Sequence, residues 1–155
     1  MRKLLAVSLL FLAAACGSQR TNATRHIAKP GIQILQMNGV PPAARHVQGG
    51  LNIQYGVRVT NHSDETIKLR RVTVQSMSEG AYHVGPHSVA YDLTVPPHQA
   101  QDVQFWAPAQ TGRSLVGANG PVTLRVTCEF DSQYGRFQEI VTRVVNDRTS
   151  ITGEQ

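Results

Sequence analysis

Alternation of apolar and polar side chains constrains this chain more than any other feature. Leu51, Ile53, Tyr55, Val57 and Val59 are interleaved with Asn52, Gln54, Arg58 and Thr60. Successive side chains of an extended backbone point to opposite faces, so this run describes a strand with one buried and one wet face. The pattern recurs at Val89, Tyr91, Leu93 and Val95, and again at Val122, Leu124, Val126, Cys128 and Phe130. A shorter run, Val103 and Phe105, is expected to stop at Pro108. Ile67, Leu69, Val72 and Val74 change phase at Arg70-Arg71, which predicts a β-bulge there. Ile32 to Met37 reads as a leading strand, and Phe137 to Val145 as the return of a hairpin turning at Asp131 to Gly135. Asn61-His62-Ser63-Asp64 and Pro96-Pro97 supply turn chemistry between runs. No stretch of the body sustains a 3.6-residue period. About seven strands at this spacing predict a single all-β domain, an antiparallel β-sandwich.

The opening MRKLLAVSLLFLAAAC follows another logic. Arg2 and Lys3 are basic, Leu4 to Leu12 are apolar but too few to span a bilayer, and Ala13 to Ala15 are small. With Cys16 directly after them, the segment resembles a bacterial lipoprotein signal with its lipobox. That resemblance implies removal of residues 1–15 and acylation of the Cys16 sulfur, so that fatty acid holds the protein to a membrane. Gly17 rather than Asp after the cysteine implies, by the same resemblance, the outer membrane of the cell envelope, facing the periplasm. Residues 16–30 are polar, end at Pro30, and read as a flexible tether. The sandwich is expected over 31–147, with 148–155 a disordered tail.

Within the body, Tyr55-Gly-Val-Arg-Val-Thr-Asn61 followed by Ile67-Lys-Leu69 looks like the strand–Asn–strand opening of bacterial immunoglobulin-like modules of the CARDB and FN3 kind, a resemblance that implies an immunoglobulin-like sandwich. Val95 to Phe105 and Gly120 to Val126 resemble their middle and closing strands. The resemblance implies a non-catalytic interaction or scaffold module whose partner, besides the membrane, is another envelope protein. The antibody Cys–Trp–Cys arrangement is absent, and Trp106 is expected to end a strand.

Composition narrows the functional classes. Loss of residues 1–15 from 155 leaves 140 residues, the size of one domain, and leaves 13 basic against 10 acidic residues. So mild a charge gives no ground for nucleic acid as a partner. With Cys16 lipidated, Cys128 has no intramolecular partner. It shares the parity of inward residues, so its thiol is expected in the core as an inert hydrophobe rather than a nucleophile.

Other reactive side chains are read against plainer roles. His83 and His87 are four apart and His98 follows, but Gly80, Gly85 and Pro86 forbid the helix that would align the first two. They are expected to be surface histidines, and no metal or other cofactor is expected. The alternative reading, a periplasmic ligand- or metal-binding protein, would use His83, His87 and His98 as ligands. Lys68, Arg70 and Arg71, with Arg58 on a neighbouring strand, form a basic cluster best explained as a solvated edge. Asp92, Asp102, Glu129 and Glu139 fall on expected wet faces, which gives no buried carboxylate pair for acid–base catalysis. The chain is therefore not expected to be an enzyme. The two longest loops, Ser78 to Pro86 and Pro108 to Gly120, are where a partner surface is expected, through Tyr82, His83 and Arg113.

Overall fold

The computed structural model describes residues 27–38, 50–77, 80–111 and 120–145. The expected signal peptide, Cys16, Arg113 and the tail at 148–155 lie outside these residues. The described residues form eight strands: β1 (Gly31–Gln36), β2 (Gly50–Thr60), β3 (Ile67–Ser76), β4 (Tyr82–His83), β5 (His87–Val95), β6 (Ala100–Thr111), β7 (Val122–Ser132) and β8 (Gly135–Val145). They form two four-stranded antiparallel sheets, one in the order β1-β2-β6-β4 and the other β5-β3-β7-β8. We call them sheet A and sheet B. This is the antiparallel β-sandwich that the alternation implied, of the immunoglobulin-like kind that the resemblance implied, and no helix occurs among the described residues.

The inner faces carry the parity read from sequence. Ile53, Tyr55, Val57 and Val59 of β2 are fully buried, as are Leu124, Val126, Cys128 and Phe130 of β7. Phe130 stacks on Phe137 across the hairpin, with ring centroids 5.2 Å apart. The partly buried Val89, Tyr91 and Leu93 of β5 close one flank of the core. The bulge is where the phase slip placed it: β3 shifts register between Leu69 and Arg71 against both β5 and β7. Both strands of the closing hairpin run up to Ser132 and Gly135, leaving a two-residue turn. Gly135 has φ 113°, a conformation that a side chain would strain.

Four expectations change. The tether is shorter than expected, since Ile27 and Pro30 are already buried and Ile27 joins the core. Pro108 does not stop β6, which runs on to Thr111. The Tyr91 hydroxyl bonds the Gln104 carbonyl on the side of β6 away from β2. Alternation then places the Pro108 nitrogen on that same open side, where its missing N–H removes no rung of the β2–β6 ladder. Trp106 consequently lies in mid-strand rather than at a strand end. Finally, Glu139 faces inward at the sandwich margin, opposite Cys128 in register, where Lys29 meets it at 3.1 Å.

Candidate functional site

The interior is saturated with partners. Asn61, fully buried after β2, donates to the carbonyls of Glu65, Val95 and Pro96 at 2.7, 3.1 and 3.2 Å. Its side-chain oxygen accepts from the Ser63 N–H and hydroxyl. One short side chain thereby joins the β2–β3 turn to the β5–β6 turn, which is what an Asn between two strands can do and an apolar residue cannot. A second chain crosses sheet A: the Tyr55 hydroxyl donates to Tyr82 at 3.0 Å, and Tyr82 donates to Gln36 Oε1 at 2.6 Å. Burial raises both phenols above their ordinary value, Tyr82 to about 12. Burial likewise pushes the Cys128 thiol up to about 12, with Glu139 adding to the shift, so it stays protonated and unreactive near neutral pH. No buried side-chain polar atom among the described residues lacks a partner.

The outer face of sheet B is equally self-satisfied. The extra residue of the bulge, Arg70, meets Asp92 of β5 and donates to Asp131 of β7 at 2.6 Å. Lys68 joins Asp92 at 2.7 Å, and Arg136 of β8 joins Asp131 at 3.0 Å. The row links all four strands. Hydrogen bonds from Lys68 and from Arg70 hold Asp92 and Asp131 respectively below the usual carboxylate range. Lys68 and Arg70 of the expected basic cluster are thus paired on a central strand rather than at an edge, and Arg58 lies in the other sheet, where it grips Asp102 through two bonds of 2.8 Å.

The outer face of sheet A differs. Its register lays down successive rows across β1, β2 and β6: Gln33–Arg58–Asp102, then Leu35–Gly56–Gln104. In the next row Met37 donates its N–H to the Gln54 carbonyl at 2.8 Å, and Gln54 stands opposite Trp106. Asn52 and Pro108 follow. The face therefore grades from an ion pair at one end to apolar side chains at the other. Trp106 is 53 % exposed, Leu35 43 % and Met37 40 %. Met37 lies over Gly56, where an added Cβ would come within 3.1 Å of its sulfur. At a strand spacing of about 4.8 Å, Met37 and Trp106 are roughly 10 Å apart. Beyond Pro108 the face opens into a groove of about 530 Å³ lined by Asn52, His83, Gly85, Pro108 and Gln110. The groove exists because β4 is two residues long and pairs only with Gln110 and Thr111.

The structure redistributes the sequence-derived candidates. Tyr82 is 1 % exposed and supports the core, so it is no contact residue. His83 is exposed on β4 and borders the groove. His87 stacks against Phe105, 6.4 Å between centroids. His98 occupies the β5–β6 turn with φ 55°, 2.9 Å from Asp64. The nine residues of β5 separate His87 from His98 by roughly 30 Å, so the three imidazoles cannot share an ion. Among the described residues no His, Cys, Asp and Glu group has metal-binding geometry. The residues that sequence reasoning passed over are Leu35, Met37 and Trp106. Their signal was present: Ala107 and Ala109 continue the inward parity of Val103 and Phe105, which forces Trp106 and Pro108 outward.

No family model and no curated relative matches the sequence. Solved structures resemble it in shape. A Northeast Structural Genomics Consortium target, SoR45, superposes with a TM-score of 0.50 at 12% identity, over 84% of this chain and 94% of its own. The putative ApaA protein from Bordetella pertussis gives 0.48 at 13% identity, over 79% and 96%. A PapD-like domain of human CEP192 gives 0.32 at 13% identity, over 98% and 100%. The likeness to SoR45 is one of fold and carries no function with it.

Proposed function

We propose that this protein is a lipid-anchored lipoprotein of the bacterial cell envelope that acts as a non-catalytic interaction or scaffold module. Its binding surface in this reading is the apolar end of the sheet A outer face. The observation that carries the reading is the contrast in side-chain satisfaction. The ion pairs on the outer faces are closed and the buried phenols and thiol are held neutral, whereas Leu35, Met37 and Trp106 stand exposed on one sheet face. Aromatic residues and methionine are the types enriched where proteins meet. Lipid on Cys16 supplies the membrane contact, and several acyl chains on one residue anchor stably where one would not.

Two measurements test the halves separately. Metabolic palmitate labelling should mark the full chain and vanish on Cys16→Ser; label retained by that variant overturns the anchor. Trp106→Glu should abolish cross-linking to envelope proteins while leaving palmitate labelling intact. An unchanged cross-linking pattern removes the face from the account.

A further inference from the structure

An antiparallel sandwich of this kind has four sheet edges, and each edge exposes backbone donors and acceptors that another strand can capture. Three of them are obstructed. On the far side of sheet A the two-residue β4 covers only Gln110 and Thr111 of β6, and along the open remainder Pro108 removes a donor and Tyr91 occupies the Gln104 carbonyl. The β5 edge carries Asp92 and lies alongside β6. On β8, Glu139 and Arg143 share the inward parity of Phe137 and Val145, and charges pointing inward on an edge strand deter pairing. The remaining edge, β1, reads Gly-Ile-Gln-Ile-Leu-Gln. It has no charge and no proline, and it pairs with no described strand except β2.

The groups on that edge that pair with no described strand can be identified. Met37 gives its N–H to Gln54, so Leu35 and Gln33 also direct their backbone groups toward β2. The N–H and C=O groups of Ile32, Ile34 and Gln36 therefore point out of the sheet. These residues keep 5–6 % exposure, whereas the inward residues of central β2 keep none.

We infer that the β1 edge pairs with the β1 edge of a second copy of this chain, antiparallel about a two-fold axis through Ile34. The sequence is complementary to itself in that register. Ile34 faces Ile34 of the second copy and Ile32 faces Gln36, which gives about six backbone hydrogen bonds. On the outer face Gln33 meets Leu35, and the long Met37 side chain falls opposite Gly31, which has none. No like charges oppose each other in this register. The junction fuses two copies of sheet A into one eight-stranded sheet and sets the two Leu35–Met37–Trp106 faces side by side. It is smaller than a standard interface, so the pairing relies on confinement of both copies to one membrane. In that respect it rests on the anchor proposed above, which palmitate labelling tests independently.

The register makes a sharp test in the full-length chain. Gln33 and Leu35 of opposite copies would form a non-hydrogen-bonded pair with Cα atoms about 4.5 Å apart, within disulfide reach. Two copies of the same position would lie more than about 7 Å apart, outside it. Membranes from cells co-expressing Gln33→Cys and Leu35→Cys chains should yield oxidised dimer several-fold above membranes holding either variant alone. The wild-type chain sets the background. Both substitutions lie on exposed positions, so folding is preserved. A second variant, Q33K/L35K, opposes like charges twice across the junction. It should lower dimer recovery by tenfold or more with unchanged thermal unfolding. No excess in the mixed membranes, equal yields from either variant alone, adducts with another protein only, or undiminished dimer in Q33K/L35K would each overturn the inference.

Discussion

The two outer faces of this sandwich were built on the same inner pattern and ended in opposite states. On sheet B, Arg70 rises from the bulge into a row of carboxylates and cations that spans β5, β3, β7 and β8. On sheet A, the corresponding surface holds one ion pair, Arg58–Asp102, and then gives way to Leu35, Met37 and Trp106. Both faces cover a core that is complete without them. The lesson is that burial decides the fold and the wet faces are left free to differ. The face whose groups are unsatisfied is the one with something left to bind.

That contrast can be broken by substitution, beginning where both sheets share the load. Phe130→Ala removes a fully buried ring stacked on Phe137 and should cost about 3–5 kcal/mol in denaturant unfolding. Asn61→Ala strands three carbonyls and two donors of the Ser63 turn, with an expected loss of about 2–4 kcal/mol. A loss as small as that of a surface substitution would show that the two turns hold together without it. Tyr82→Phe leaves Gln36 and Tyr55 without their shared partner and should cost about 1–3 kcal/mol.

The smaller effects separate the two faces. Asp131→Asn should lower stability by less than about 1 kcal/mol, because the pairs it breaks are solvated. Trp106→Ala should change stability by no more than about 0.5 kcal/mol while altering association, the signature of a face that serves a partner rather than the fold. A Trp106→Ala loss comparable to that of Phe130→Ala would erase the distinction between the faces.

Acid and alkali probe the face of sheet B and the interior of sheet A in turn. Asp92 and Asp131 titrate lower in the folded chain than their ordinary value of about 4. Their stabilisation is present above that value and is lost as pH falls through the lowered folded values. Salt should weaken the same contribution. Tyr55 and Tyr82 titrate higher when folded, so their contribution is intact below about pH 10 and is lost as pH rises above it. Tyr82→Phe should flatten the alkaline limb of an unfolding-versus-pH curve and leave the acid limb alone.

Much of this architecture was legible in the residues. A period of two located seven strands, and a phase slip at Arg70-Arg71 located the bulge, because side-chain parity is a local property. Asn61 announced a turn, although two of its three carbonyl partners, Val95 and Pro96, lie over thirty positions away and could not be read locally. β4 escaped notice because two residues carry no period. The β6 strand was cut short at Pro108 because tolerance of proline depends on which side of the strand has a neighbour, which is a fact of topology. The expected contact residues failed for a related reason. Tyr82 sits in a long connection that looked exposed, yet its hydroxyl closes a buried chain, while Trp106 looked like punctuation and stands in the open.

Trp106 is the one tryptophan in the chain, so its fluorescence reports on the proposed binding face alone. Acrylamide quenching should be compared for dilute protein in detergent and for the lipidated protein in native envelope membranes. The expected result is ready quenching in detergent and strong protection in the membranes, with protection lost on Leu35→Lys, which disrupts the neighbouring row. Equal quenching in both settings, or a tryptophan already shielded in dilute detergent, would contradict the assignment of this face as the working surface.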